Sequence, residues 1–128
     1  MKRAIPLLLL AVLVSACIPE TRTLSKTVPE SMQGRWGLVP ADCTSTAGDN
    51  KGLMTVSADS LRFYESTAEI AEVRERTETR LDAAFSFSGE GMVWTRDMVL
   101  TVKDSGNTLI REESGPQALQ PLTYARCG

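Results

Sequence analysis

The chain has 128 residues, with 14 basic and 16 acidic side chains, three cysteines, no histidine and 42% apolar residues. That length accommodates one folded domain. The slightly acidic balance shows no basic patch or stripe, which argues against nucleic acid as a partner. The absence of histidine removes the commonest metal ligand and general base.

The chain opens on Lys2 and Arg3, followed by an apolar run from Ile5 to Val14 that only Pro6 interrupts. Small residues, Ser15 and Ala16, lead into Cys17. This is the layout of a secretory signal, which is removed and is not part of the fold. An apolar stretch of about ten residues is too short to cross a bilayer core of roughly 30 Å as a helix. Val14-Ser15-Ala16-Cys17 resembles a bacterial lipobox. The resemblance implies diacylglycerol on the Cys17 thiol, cleavage before Cys17 and acylation, as by palmitate, of the new amino terminus. Residues 1–16 are then a lipoprotein signal peptide. One acyl chain holds a membrane only marginally and two or more hold it stably; the lipoproteins this segment resembles carry three. In many Gram-negative members Asp after the modified cysteine marks retention in the inner membrane. Ile18 stands there instead, so the resemblance implies an outer-membrane anchor facing the periplasm.

Residues 17–31 are rich in Pro, Thr, Ser and Glu without apolar period and read as a lipidated, flexible tether. The folded domain is then 32–128. A domain below about 100 residues is marginal on core burial alone. With Cys17 lipidated, Cys43 and Cys127 remain as a pair in an oxidising compartment, and a disulfide between them is expected.

From Gly34 onward the pattern alternates with period two and is broken by turn residues, which is the all-β signature. Gly34 to Val39 is the first predicted strand, with Trp36 and Leu38 on one face. Pro40-Ala41-Asp42 ends it and delivers Cys43. A polar loop over 44–51 precedes a strand at Leu53–Ser57, a turn at Ala58-Asp59, and a strand at Leu61–Glu65. Residues 66–80 contain helix formers, with Ile70, Val73, Thr77 and Leu81 at helical spacing. Two strands joined near Arg74 to Arg76 are favoured over a surface helix, because Leu81, Ala83, Phe85 and Phe87 then alternate cleanly. Ser88-Gly89-Glu90-Gly91 is a turn. Met92 to Lys103 is a long strand with Trp94, Met98, Leu100 and Val102 on one face, interrupted by Arg96. Asp104-Ser105-Gly106-Asn107 is a hairpin turn, Thr108 to Glu113 runs back, and Leu122 to Cys127 closes the chain after a loop.

These elements predict a small antiparallel up-and-down barrel of about eight strands, a fold that removes exposed sheet edges. A Cys43–Cys127 bond would hold its first and last strands together, given Cα atoms within about 7 Å. Gly34-Arg35-Trp36 resembles the Gly-x-Trp signature of lipocalin-like barrels, which implies structural roles for Gly34 and Trp36, the latter packing across the closed end. Residues 34–43 also resemble the small periplasmic barrels that inhibit secreted alkaline metalloproteases, in which a cysteine soon follows Gly-x-Trp. That family's second cysteine lies mid-chain, whereas Cys127 is nearly terminal. The whole chain resembles small lipoproteins of alphaproteobacteria, a resemblance that brings no activity with it.

No catalytic set is legible. Both domain cysteines are expected to be oxidised, and three thiols without histidine make no zinc site. Glu65, Glu69, Glu72, Glu75 and Glu78 are interleaved with Arg74, Arg76 and Arg80, as on a solvated face with cross-strand charge pairs. Glu112-Glu113 reads the same way. Asp42, Asp49 and Asn50 lack calcium-loop spacing, and Trp94 reads as core. The chain is therefore expected to be a membrane-anchored binding protein, not an enzyme, with no cofactor or metal. Its partner beyond the membrane would be an envelope protein or a small apolar ligand. The alternative is a periplasmic inhibitor of a hydrolase, either metalloprotease or lysozyme.

Overall fold

The alternation read from the sequence is realised as eight antiparallel strands that close into a barrel in chain order. The structure, a computed structural model, describes residues 11–17 and 24–128. Residues 1–10 and 18–23 lie outside these, and with them the expectations on Lys2, Arg3 and Ile18. Residues 11–17 are exposed and without regular structure, and the Cys17 thiol is free. Among the described residues no helix is long and apolar enough to cross a membrane.

The strands are β1 (Gly34–Gly37), β2 (Met54–Val56), β3 (Ser60–Arg62), β4 (Thr67–Arg76), β5 (Arg80–Gly89), β6 (Met92–Lys103), β7 (Thr108–Ser114) and β8 (Leu122–Arg126). One short helix, α1 (Pro40–Thr44), follows β1. Successive side chains of a strand point to opposite faces. On β5 this buries Leu81, Ala83, Phe85 and Phe87 while their neighbours stay partly open. The same parity sends Met98, Leu100 and Val102 inward from β6, Leu109 from β7 and Tyr124 from β8.

Four expectations shift. β1 stops at Gly37, so Leu38 lies beyond it and is exposed. Pro40 to Asp42 is not a plain turn but the start of α1: Pro suits the first helical turn, and the Asp42 carboxylate accepts the Leu38 and Val39 N–H groups. Residues 67–76 form a strand, with the joint to β5 at 77–79 and not at Arg74 to Arg76. Register shifts between Ile70 and Glu72 and between Val73 and Glu75 explain why β4 reads as helical in sequence; a bulge breaks strict alternation. Finally, the barrel takes up the chain before Met32. Val28 and Met32 are buried, and the Val28 N–H donates to the Ala58 carbonyl at 2.8 Å.

In a meander of this kind the links β2–β3, β4–β5 and β6–β7 share one end with the chain's entry. The 27–33 segment touches two of these links and is joined to the third through Arg126. Val28 meets Ala58, the Ser31 hydroxyl donates to the Glu78 carbonyl, and Arg126 spans the third. The Arg126 guanidinium donates to Gly106 O at 2.7 Å, Gln33 O at 2.8 Å and Ser31 O at 2.7 Å. Its carbon lies 4.2 Å from the centre of the Trp36 ring, within cation–π range. Trp36 is fully buried, and its indole N–H donates to Met32 O at 2.8 Å. Gly34 is required at its place. Its φ is +121°, and a Cβ there would lie 2.9 Å from an Arg126 nitrogen, so an L side chain would be strained and crowded.

The expected disulfide is present. Cys43 on α1 bonds Cys127, with Cα atoms 5.3 Å apart. It ties α1 to the end of β8. A Cβ on Gly37 would sit 2.9 Å from the Cys43 sulfur, so the small residue lets α1 lie against β1.

Trp36→Ala should destabilise the chain by about 3–5 kcal/mol, the range for removing a core aromatic. A double-mutant cycle with Arg126→Ala, read by urea denaturation, should give a coupling energy of about 0.5–3 kcal/mol. Additive costs would mean that the two side chains act independently.

Candidate binding site at the barrel mouth

The links β1–β2, β3–β4, β5–β6 and β7–β8 lie at the other end, and there the interior is not sealed. Phe63 follows β3, Phe87 lies near the end of β5, and Trp94 is its register partner on β6. Their rings form a ladder. Phe63 and Phe87 have centroids 5.6 Å apart, Phe87 and Trp94 5.5 Å, each pair inclined by 20°. The cavity beside them measures about 300 Å³ and is lined also by Ser66, Arg96, Arg111, Glu113 and Leu119. Trp94 is thus only partly buried; it forms mouth wall where core was expected.

β7 brings charge into this half of the barrel. The turn Asp104–Gly106 sets the pairing Val102 with Leu109, Leu100 with Arg111 and Met98 with Glu113. Gly106 has φ +89° there, and the Thr108 hydroxyl donates to Asp104 at 2.8 Å. Leu109, Arg111 and Glu113 therefore share the inner face. A slip of one residue would move all three outside. Glu113 is not on a solvated face, as the sequence reading had it. Its side chain is 5% exposed and that of Arg111 11%.

The two form an ion pair, Arg111 Nη2 to Glu113 Oε1 at 2.6 Å. Arg111 also donates from Nη1 to the Tyr124 hydroxyl at 3.2 Å, and its guanidinium carbon lies 4.6 Å from the centre of the Phe63 ring. Two atoms of the pair, Arg111 Nε and Glu113 Oε2, are buried without a hydrogen-bond partner. Each such group costs about 1–3 kcal/mol in a folded protein. Arg96, on the same inward parity of β6, donates to Gln117 O at 3.4 Å and so joins the 115–121 link to the rim. Exposed Tyr64, Met92, Val93 and Leu119 add apolar surface to the links of this end.

Comparison of the chain with known protein families, curated proteins and solved structures gives no match. Function is therefore read from this chain's own residues. The other sequence candidates are not gathered at the mouth. Cys43 and Cys127 are joined outside the barrel, and Gly34 and Trp36 belong to the closed end. Asp42 has both oxygens engaged by backbone N–H groups of Leu38, Val39 and Gly52, while Asp49 accepts the Ser45 hydroxyl. Among the described residues no three His, Cys, Asp or Glu side chains form a metal set. The charges of 74–82 make surface pairs, Arg74 with Asp82 at 3.1 Å and with Asp97 at 2.8 Å, and Arg80 with Glu75 at 3.4 Å. Desolvation works against the Arg74 charge, and the bonds to Asp97 and Asp82 outweigh it, so its pKa is raised.

The sequence reading missed Arg111 and Glu113, yet their signal was available. They sit two and four residues after Leu109 in a strand with an apolar inner face, the positions that parity sends inward.

Breaking a buried ion pair strands the surviving charge, whereas replacing both members with apolar groups is often neutral. Glu113→Ala should therefore cost about 3–5 kcal/mol, and Arg111→Met combined with Glu113→Leu should recover most of that loss. Thermal or urea unfolding measures both. A mild effect of Glu113→Ala alone would show that the pair is solvated.

Proposed function

We propose that this chain is a lipid-anchored protein of the bacterial envelope whose barrel binds a small, largely apolar ligand at its mouth. The observation that carries the binding role is the aromatic-walled cavity. Ligand sites are concave and mostly apolar, with few polar groups to orient what binds. Phe63, Phe87 and Trp94 supply the wall, and Arg111 with Glu113 supply the polar floor. Binding, not catalysis, suits a site whose charged groups are engaged with each other. The anchor rests on the sequence Val14 to Cys17, and an outer-membrane, periplasm-facing location rests on Ile18. Tethering would raise the protein's local concentration at that surface. The exposed Tyr64, Met92, Val93 and Leu119 favour contact with another envelope protein beside the mouth. The alternative, inhibition of a hydrolase through a projecting amino-terminal arm, draws less support, because the chain is docked on the barrel from Val28 onward.

Two outcomes test this. The wild-type chain should incorporate labelled palmitate and sediment with membranes, and Cys17→Ser should do neither. Labelling that survives the substitution would refute the anchor. Mature chain carrying Cys17→Ser should give a saturable fluorescence rise with the apolar dye N-phenyl-1-naphthylamine, weakened about tenfold by Trp94→Ala. Absence of saturable binding, or binding indifferent to Trp94, would remove the mouth as the site.

A further inference from the structure

Arg111 and Glu113 neutralise each other on the floor of the mouth, but Arg96 on its rim has no such partner. Arg96 stands on the inward parity of β6, between Trp94 and Met98, with the fully buried Phe85 as its register partner. It is only partly buried and interrupts a row that is otherwise apolar. Among the described residues no carboxylate lies within ion-pair distance of it. Its neighbour Asp97 is held by Arg74 at 2.8 Å, and Glu113 is held by Arg111 at 2.6 Å. The Arg96 guanidinium makes one hydrogen bond among these residues, a solvent-exposed one of 3.4 Å from Nη1 to Gln117 O. A guanidinium has five N–H donors, so most of these stay open to water. Arg96 also lines three hollows of this end: the aromatic-walled cavity, one beside Met92, Val93 and Gln117, and one along Ser114 to Gln117. The cavity thus sets two cations, Arg96 and Arg111, against one anion, Glu113, and the accessible cation is the unmatched one.

We propose, resting on the reading of the mouth as a ligand site, that it takes a small aromatic acid, a one- or two-ring compound bearing a single carboxylate or sulfonate. The acid group bonds the Arg96 guanidinium at the rim, where both remain partly hydrated, and the rings lie inward against Phe63, Phe87 and Trp94. A planar guanidinium meets a carboxylate through two parallel N–H···O bonds, and such charge-assisted bonds are roughly twice as strong as neutral ones. The aromatic ladder offers ring faces for offset stacking. The size fits, since a cavity of about 300 Å³ stands at the small end of ligand sites. The charges select the sign. An ammonium ion would meet Arg96 and find Glu113 already engaged by Arg111. A second negative charge on the ligand would find no second unpaired cation lining the cavity. A neutral ring would leave Arg96 as unmatched as it is without ligand.

The mature chain carrying Cys17→Ser can be titrated calorimetrically with 2-naphthoate, its neutral isostere 2-naphthamide and the cation 2-naphthylmethylammonium. 2-Naphthoate should bind about tenfold more tightly than either of the others, because only it forms charge-assisted bonds with Arg96. Its advantage should shrink as sodium chloride is raised, since salt screens a partly exposed pair. In Arg96→Gln the advantage over 2-naphthamide should fall to parity; if that variant fails to fold, the wild-type ratio and its salt dependence decide. Equal binding of 2-naphthoate and 2-naphthamide by the wild type would overturn the acid inference and leave the mouth as a ligand site. So would a preference for 2-naphthoate that persists in Arg96→Gln, which would place the anion on another cation. Tightest binding of the ammonium probe would overturn the inference in favour of Glu113 as the charged contact. Failure of all three probes while N-phenyl-1-naphthylamine still binds would overturn the inference alone. Failure of the dye as well would overturn the ligand site on which the inference rests.

Discussion

The Arg126 guanidinium, seated on the Trp36 ring and bonded to three carbonyl oxygens, is the contact on which the closed end depends. β1 meets β8 over only two register pairs, Trp36 with Arg126 and Gly37 with Ala125. So thin a backbone seam needs reinforcement. Arg126 provides it from inside by joining β8 to the entering chain and to the β6–β7 link. The Cys43–Cys127 bond provides it from outside by fastening α1 across the same two strands. Gly34 leaves room for the arginine, and Trp36 gives it a surface. A planar, delocalised cation with a fixed fork of donors does what a lysine could not.

The two ends of the barrel treat charge in opposite ways. At the closed end a cation has its donors matched by backbone carbonyls. At the mouth a largely buried ion pair leaves one donor atom and one acceptor atom without partners. Buried ion pairs rarely add net stability over apolar residues of similar size. That cost is consistent with the binding role proposed for the mouth. The position of the pair follows from the hairpin turn at Asp104–Gly106, which sets the register of β7. The entering chain and the mouth also lie at opposite ends, so an anchor joined through residues 17–27 would not by itself bring lipid to the opening.

Much of this architecture was legible in the sequence, and the misses have physical causes. Alternation in β5 and β6 was unambiguous because every inner position except Arg96 is apolar and no bulge intervenes between the two strands. β4 carries two register shifts, which moved its apolar residues to helix-like spacing. α1 was hidden because five residues are too few to show a period, leaving only Pro40 and Asp42 as signs. Cys43 and Cys127 could be paired from their count. Glu113 reads as a surface residue because charge usually marks the outside of a strand, and Arg111 and Arg126 draw no notice for the same reason. Parity alone, counted from Leu109 and Tyr124, would have turned them inward. What parity does not reveal is that one of these arginines closes an end while another faces a cavity, since that depends on which strands meet across the barrel.

The thin seam between β1 and β8 bears on how the chain folds. The hairpins β4–β5, β5–β6 and β6–β7 join neighbours in sequence, so their contacts close short loops. In the reduced chain, before Cys43 and Cys127 join, the seam between Gly37 and Ala125 spans nearly the whole length of the domain, and such non-local pairing carries the largest loop-closure entropy and forms slowly. The meander thus has an order built into it: a curved open sheet forms first, with its apolar face and two edges bare, and the last strand docks when Arg126 finds Trp36. In the open sheet the edges of β1 and β8 are free to pair with another chain, which makes closure of the seam the step that keeps one copy from joining the next.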